Sequence, residues 1–106
     1  MINAMKEFIE HTGKRMVKCA HVYGDEYYQS DLNAKLCIGY NTYDLANFLN
    51  ALRFNYKNGF GGQFLFGTIW YEDGTWSERG EYDGSEWWEH RSCPAIPEDL
   101  KLDGRS

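Results

Sequence analysis

The sequence predicts an α+β domain, an antiparallel sheet of about five strands packed by one main helix, in the order (α)ββαβββ. Two observations carry that expectation. Asp73-Gly74 and Asp83-Gly84 lie ten residues apart between segments rich in aromatic residues, the pattern of a three-stranded meander. Upstream, Leu45, Phe48, Leu49, Leu52 and Tyr56 follow the i, i+3, i+4, i+7, i+11 spacing of one buried helical stripe.

From the N-terminus, residues 3–11 suit a short helix that ends near Gly13. Met16 to Tyr23 reads as a strand with Gly24-Asp25 as its exit, and the polar stretch Glu26 to Asn33 as a loop. Ala34 to Tyr40 is the second strand, with Leu36, Ile38 and Tyr40 on one face. The main helix covers 42–56. Asn41 or Thr42 can cap it, Asp44 complements the positive end of its dipole, and Asn58-Gly59 supplies the stop. Gly59, Gly61 and Gly62 make a flexible connection in which Phe60 is an anchor. Phe64 to Tyr71, Thr75 to Tyr82 and Ser85 to Arg91 are the meander strands, ended by Pro94 and Pro97. The chain reads as a single domain over 1–106, with a loose tail from about residue 97.

If both Asp-Gly turns are two-residue loops, the register is set. Tyr71 then faces Trp76, Ile69 faces Glu78 and Gly67 faces Gly80; across the second turn Gly80 faces Trp87, Arg79 faces Trp88, Glu78 faces Glu89 and Ser77 faces His90. One face carries Leu65, Ile69, Tyr71, Trp76, Tyr82 and Trp87 and is the expected core, with Trp87 lying over the bare backbone of Gly80 and Gly67. The other carries Phe64, Phe66, Thr68, Trp70, Ser77, Arg79, Glu81, Glu86, Trp88 and His90, with Arg79 able to stack on Trp88.

Aromatic residues make up 17% of the chain, enough to build a small core from few large side chains or to furnish a binding surface. Cys19, Cys37 and Cys93 are odd in number and irregularly spaced, which fits reduced thiols better than a disulfide framework. No apolar run approaches the roughly 20 residues of a membrane span, and the N-terminus lacks a signal-like stretch. A cytoplasmic protein without a membrane partner is expected. The net charge is −5 and unevenly placed. Residues 1–56 balance, so 57–106 carry the excess, and between Glu72 and Glu89 seven carboxylates accompany one arginine, Arg79. Such a field repels nucleic-acid phosphates and attracts basic protein surfaces.

Candidate chemistry is sparse. Glu78 and Glu89 would be neighbours on the core-side face, where like carboxylates push one pKa up, and His90 would stand nearby; that trio defines the pocket of a small enzyme or ligand-binding domain. Cys19 and His21 on one strand face, with His90 and Cys93, would make a four-ligand set for structural zinc, although their spacing matches no familiar finger. Neither a P-loop nor a dinucleotide fingerprint is present. The primary expectation includes no cofactor and no metal.

The segment Leu65-Phe66-Gly67-Thr68-Ile69-Trp70-Tyr71-Glu72-Asp73-Gly74-Thr75-Trp76, followed by Arg79-Gly80-Glu81-Tyr82-Asp83-Gly84-Ser85-Glu86-Trp87-Trp88, resembles a family of small uncharacterised proteins encoded by tailed bacteriophages. The similarity extends through Lys18-Cys19-Ala20 and into Cys93-Pro94. The resemblance implies expression in the cytoplasm of an infected bacterium, where small accessory proteins bind and alter host proteins, defence systems included. The expectation is a non-enzymatic binding module, a phage-encoded inhibitor of a host or defence protein with a basic surface. Trp70, Glu72, Asp73, Arg79, Glu81, Glu86, Trp88 and His90 form its docking surface, and the oligomeric state stays open.

Overall fold

The two Asp-Gly turns build different hairpins, and that difference organises the molecule. In the computed structural model, residues 1–25, 31–57 and 62–100 are described. The elements are β1 (Ile2–Asn3), α1 (Ala4–Thr12), β2 (Val17–Gly24), β3 (Asn33–Leu36), α2 (Thr42–Ala51), β4 (Asn55–Tyr56), β5 (Leu65–Tyr71), β6 (Trp76–Tyr82) and β7 (Ser85–Arg91), then a single 3₁₀ turn over Glu98–Leu100. The α+β class and the C-terminal meander are as predicted. Five antiparallel strands form the main sheet in the order β3-β2-β5-β6-β7, and β1 pairs with β4 separately.

Asp83 and Gly84 both take positive φ, 53° and 85°, as a two-residue hairpin loop requires. Tyr82 therefore faces Ser85, and the predicted β6–β7 register holds back to Ser77 and His90. The first turn is longer. Gly74 alone is left-handed, at φ 86°, its N–H donates to the Tyr71 carbonyl at 3.2 Å, and the Tyr71 N–H donates to the Thr75 carbonyl at 2.9 Å. This is a three-residue loop, Glu72-Asp73-Gly74, a turn closed by a left-handed glycine. The Asp73 carboxylate accepts from both the N–H and the hydroxyl of Thr75, and these bonds hold its pKa below the ordinary carboxylate value.

One extra loop residue slips β6 by one position against β5. Trp76 faces Trp70, Ser77 faces Ile69 and Glu78 faces Thr68, in place of the expected partners. A one-residue slip exchanges the two faces of a strand, and β7 follows β6. Leu65, Ile69 and Tyr71 are buried as expected, but they share their face with Ser77, Glu86 and Trp88. Trp76, Tyr82 and Trp87 are turned away from the core. Burial cost explains the outcome. The expected register would have set Glu78 beside Glu89 in the core with no cation, whereas the observed one buries Arg79 against Glu86.

Both helices cover this inner face. Phe8 of α1 meets Phe48 of α2 at 5.2 Å and Trp88 of β7 at 6.2 Å, edge to face in both cases. Leu52, Ala20, Val22, Leu36, Leu65 and Ile69 complete the core. Helix α2 begins with a reciprocal capping box between Asn41 and Asp44. It ends at Ala51, short of the predicted 56, because Asn55 and Tyr56 pair with Asn3 and Ile2. The predicted stop at Asn58-Gly59 and the anchor Phe60 lie outside the described residues. The second strand also ends early, at Leu36; a turn follows at Gly39 (φ 86°) and leaves Ile38 exposed. Two glycines are steric necessities. A Cβ on Gly67 would lie 2.3 Å from the His21 carbonyl oxygen, and one on Gly80 would lie 2.7 Å from the Trp87 indole. Trp87 does cover Gly80, on the outer face.

Candidate functional site

With both helices on one side, the other face of the sheet is uncovered among the described residues. Alternation along each strand sets its contents. Strands β2 and β3 contribute Cys19, His21, Tyr23 and Lys35; β5 contributes Phe66, Thr68 and Trp70; the last two strands contribute Trp76, Glu78, Tyr82, Trp87, Glu89 and Arg91. Trp70 is 44% exposed and Tyr82 77%, with Tyr23 and Trp87 also open to solvent. The rings fall into two groups on this uncovered layer, Tyr23, Phe66 and Trp87 toward one end and Trp70 with Trp76 toward the other, divided by the polar row Lys35, His21, Thr68, Glu78 and Glu89. Tyr23 stacks on Phe66 at 5.7 Å, and the His21 ring lies 4.9 Å from Tyr23. The Trp76 indole N–H donates to Glu78 Oε1 at 2.8 Å. Arg91 bridges Glu78 and Glu89 at 3.4 and 3.2 Å, so the carboxylate pair is solvated and ion-paired.

Three of the eight residues expected on the docking surface are interior. Arg79, Glu86 and Trp88 belong to the inner face, for the reason of register given above. The Arg79 and Glu86 side chains are each 1% exposed and meet at 2.6 Å. Glu86 also accepts the backbone N–H groups of Phe64 and Leu65 at 2.6 and 2.9 Å, filling the gap where β5 parts from β6. Arg79 Nη1 lies 3.1 Å from Glu7 Oε2, and Tyr56 donates its hydroxyl to Glu7 at 2.6 Å while accepting from Arg79 at 3.0 Å. The guanidinium lies over the Trp88 ring at 5.1 Å, the stacking expected of this pair, but inside the protein. Arg79 Nε and Nη1 make no hydrogen bond. Burial alone would lower the Arg79 pKa; Glu7, Tyr56 and Glu86 outweigh it and raise the value. Burial, then the bond to Glu7, raises the Tyr56 phenol well above its usual range.

A second polar cluster adjoins this one. His11 Nε2 and the Tyr71 hydroxyl both lie 2.7 Å from Ser77 Oγ, and the His11 ring stacks on Trp88 at 6.4 Å. Burial, then the nearby Arg15, His90 and Arg79, lower the His11 pKa and favour the neutral imidazole. A serine beside a histidine has the appearance of an activated nucleophile, but Ser77 is 0% exposed and no substrate can reach it. His90 also stands on the inner side, against Tyr71 at 5.6 Å, and hydrogen-bonds Thr75 Oγ1 at 2.9 Å.

The other predicted constellations are dispersed. Glu78 and Glu89 face outward while His90 faces inward, so the expected acid pocket is not assembled. A groove of about 550 Å³ lies instead between α1 and β7, lined by Glu7, Glu10, His11, Trp87 and Trp88 among others. Cys19 and His21 are on the outer face of β2, with β5 and β6 between it and β7 in sheet order, while His90 faces inward and Cys93 is exposed beyond it. Among the described residues no group of three or more His, Cys, Asp or Glu side chains could hold a metal ion. Trp70, Glu72, Asp73 and Glu81 are exposed, so that part of the expected surface is accessible. Spacing alone missed Tyr23, Trp76 and Trp87 as outer residues, whereas Phe66 stands on that face as expected, and it missed Glu7, His11 and Tyr56 as partners of the interior charges.

No protein-family model, curated protein or solved structure matches the chain. No described helix is long and apolar enough to cross a membrane.

Proposed function

We propose that the chain is a non-enzymatic protein-binding module whose docking surface is the uncovered aromatic face of the main sheet. Its partner is a protein with a basic, partly apolar surface, and in the phage setting implied by sequence resemblance that partner is a host or defence protein which the chain inhibits. The observation that carries this reading is the layer of Tyr23, Phe66, Trp70, Trp76 and Trp87 left without a covering element. Charge supports the choice of partner. With Arg79 and Glu86 withdrawn into the interior, the meander presents Glu72, Asp73, Glu78, Glu81, Asp83 and Glu89 outside, against Arg91. A basic surface is steered toward such a field, and phosphates are repelled.

The test is affinity capture from bacterial lysate with three tagged chains: wild type, Trp70→Ser, and the triple reversal Glu72→Lys, Asp73→Lys, Glu81→Lys. A protein retained by the wild type should be lost with Trp70→Ser and held more weakly, with a shallower salt dependence, by the reversal. Capture indifferent to both changes, or no specific capture in repeated trials, overturns the reading. Glu86 is excluded from the reversal because a lysine there would set a second buried cation against Arg79.

A further inference from the structure

The register of β2 and β3 directs two thiols, Cys19 and Cys37, toward one another just beyond the end of the paired segment. Ala20 faces Leu36, His21 faces Lys35, Val22 faces Ala34 and Tyr23 faces Asn33. One step beyond, the Gly24 N–H donates to the Leu32 carbonyl at 3.0 Å, which marks Gly24 and Leu32 as a hydrogen-bonded pair. Hydrogen-bonded and open pairs alternate along an antiparallel ladder, so the Val22 and Ala20 pairs are bonded and the Tyr23 and His21 pairs are open. The paired strand ends at Leu36; continuing the same ladder by one position in the other direction would set Cys19 opposite Cys37 as an open pair.

Open pairs are where two side chains come closest. Their Cα atoms stand about 4.5 Å apart, within the roughly 4.4–6.8 Å that a disulfide spans. Alternation also gives both thiols the same side. Ala20 and Leu36 are buried on the inner face, so Cys19 and Cys37 project from the outer one, Cys19 half-buried and Cys37 exposed. The Tyr40 N–H donates to the Cys37 carbonyl at 3.1 Å and anchors Cys37 at the start of the turn after β3. Burial raises the Cys19 pKa, Lys18 opposes it, and a negative Cys37 raises it further, as expected of two sulfurs within electrostatic reach.

We propose that Cys19 and Cys37 form a dithiol site that a small disulfide of the glutathione class oxidises to a cross-strand disulfide. The exposed Cys37 thiolate attacks one sulfur of oxidised glutathione, the glutathione S–S bond breaks, and one glutathione thiolate leaves. The Cys19 thiolate then attacks the Cys37 sulfur of the mixed disulfide, and the second glutathione leaves. Two protein thiols lose two electrons and two protons, one oxidised glutathione gains them, and the products are one protein disulfide and two glutathione thiols. Cys93 follows β7, at the opposite edge of the sheet from β3, and does not take part. The bond fastens edge strand β3 beside Trp70, which pairs with Cys19 from the other side. The site stands whether or not the outer face docks a partner.

The test uses the folded Cys93→Ser chain, incubated with oxidised glutathione near pH 8 and read by mass spectrometry without reductant. The expected product is a monomer lighter by about 2 Da with no titratable thiol. Its tryptic peptide Cys19–Lys35 is joined to Leu36–Arg53, and a reductant restores both masses and lowers the melting temperature of the oxidised chain. A persistent glutathione adduct, a covalent dimer or two free thiols would overturn the proposal. Cys19→Ser in the same background should stop at an adduct on Cys37. An unmodified chain there would refute the order of attack.

Discussion

Arg79 shows how much a single side chain can depend on its neighbours. It is a cation removed from water, held by Glu86 on one side and Glu7 on the other, with Tyr56 between. Arg79→Met removes the cation that meets the buried Glu86 side chain at 2.6 Å, and urea denaturation should register a loss of about 3–5 kcal/mol. Arg79→Met combined with Glu86→Leu should recover most of that loss, since an apolar pair of similar volume is tolerated where half an ion pair is not. A double variant no better than the single would instead make the Glu86 bonds to the Phe64 and Leu65 amides the dominant contribution. His11 supplies a pH dependence. Its pKa is depressed in the fold, so as pH falls through the ordinary value of 6.5 the unfolded chain takes up the proton first. Stability should therefore be complete above about pH 6.5 and decline as pH falls through the lower folded value. Urea midpoints measured from pH 7.5 down to roughly pH 5 should show this slope, and His11→Gln should flatten it.

At the scale of elements, the decisive event is the choice between two loops with the same dipeptide. Asp83-Gly84 was legible because both residues turn left-handed as a two-residue loop requires, and the Gly84 N–H donates to Glu81 at 3.0 Å. Asp73-Gly74 carries the same letters, yet Thr75 gives the Asp73 carboxylate two donors and draws Glu72 into the loop. The dipeptide alone cannot distinguish these cases. A stronger signal was available across the strands, where the predicted register opposed Glu78 to Glu89 on a buried face and left Arg79 outside. Asp73→Asn combined with Thr75→Val, which favours a two-residue Asn-Gly loop with Glu72 returned to the strand opposite position 75, should force the rejected register and drive those carboxylates inward. The expected result is loss of the cooperative thermal transition, seen by near-ultraviolet circular dichroism. Retention of the transition at its original midpoint would mean that packing, and not the loop, sets the register. Helix α2 was legible through its stripe and cap, but its end was not, because the β1–β4 pairing that stops it involves the far N-terminus.

Over the whole molecule, the fold class was visible in turn spacing and periodicity, whereas the candidate surface was only partly so. Trp70, Glu72, Asp73 and Glu81 are exposed as expected; Arg79, Glu86 and Trp88 exchanged places with Trp76 and Trp87 when β6 slipped. Glu7, His11 and Tyr56 reach the meander from distant segments, through contacts that no local spacing encodes. Charge follows the same division. The interior takes one arginine and one glutamate of the meander, so its exterior keeps the net acidity that a count along the chain gives. The carboxylate of Glu86 has one further consequence. The first residues of β5 are held by a side chain delivered from β7, where a neighbouring strand would ordinarily stand. That end of β5 is thus a latch, and it closes only after the last hairpin has formed. Deuterium uptake at the Phe64 and Leu65 amides should keep pace with opening of the β6–β7 hairpin and should quicken in Glu86→Gln, while the Ile69 amide in the same strand remains slow.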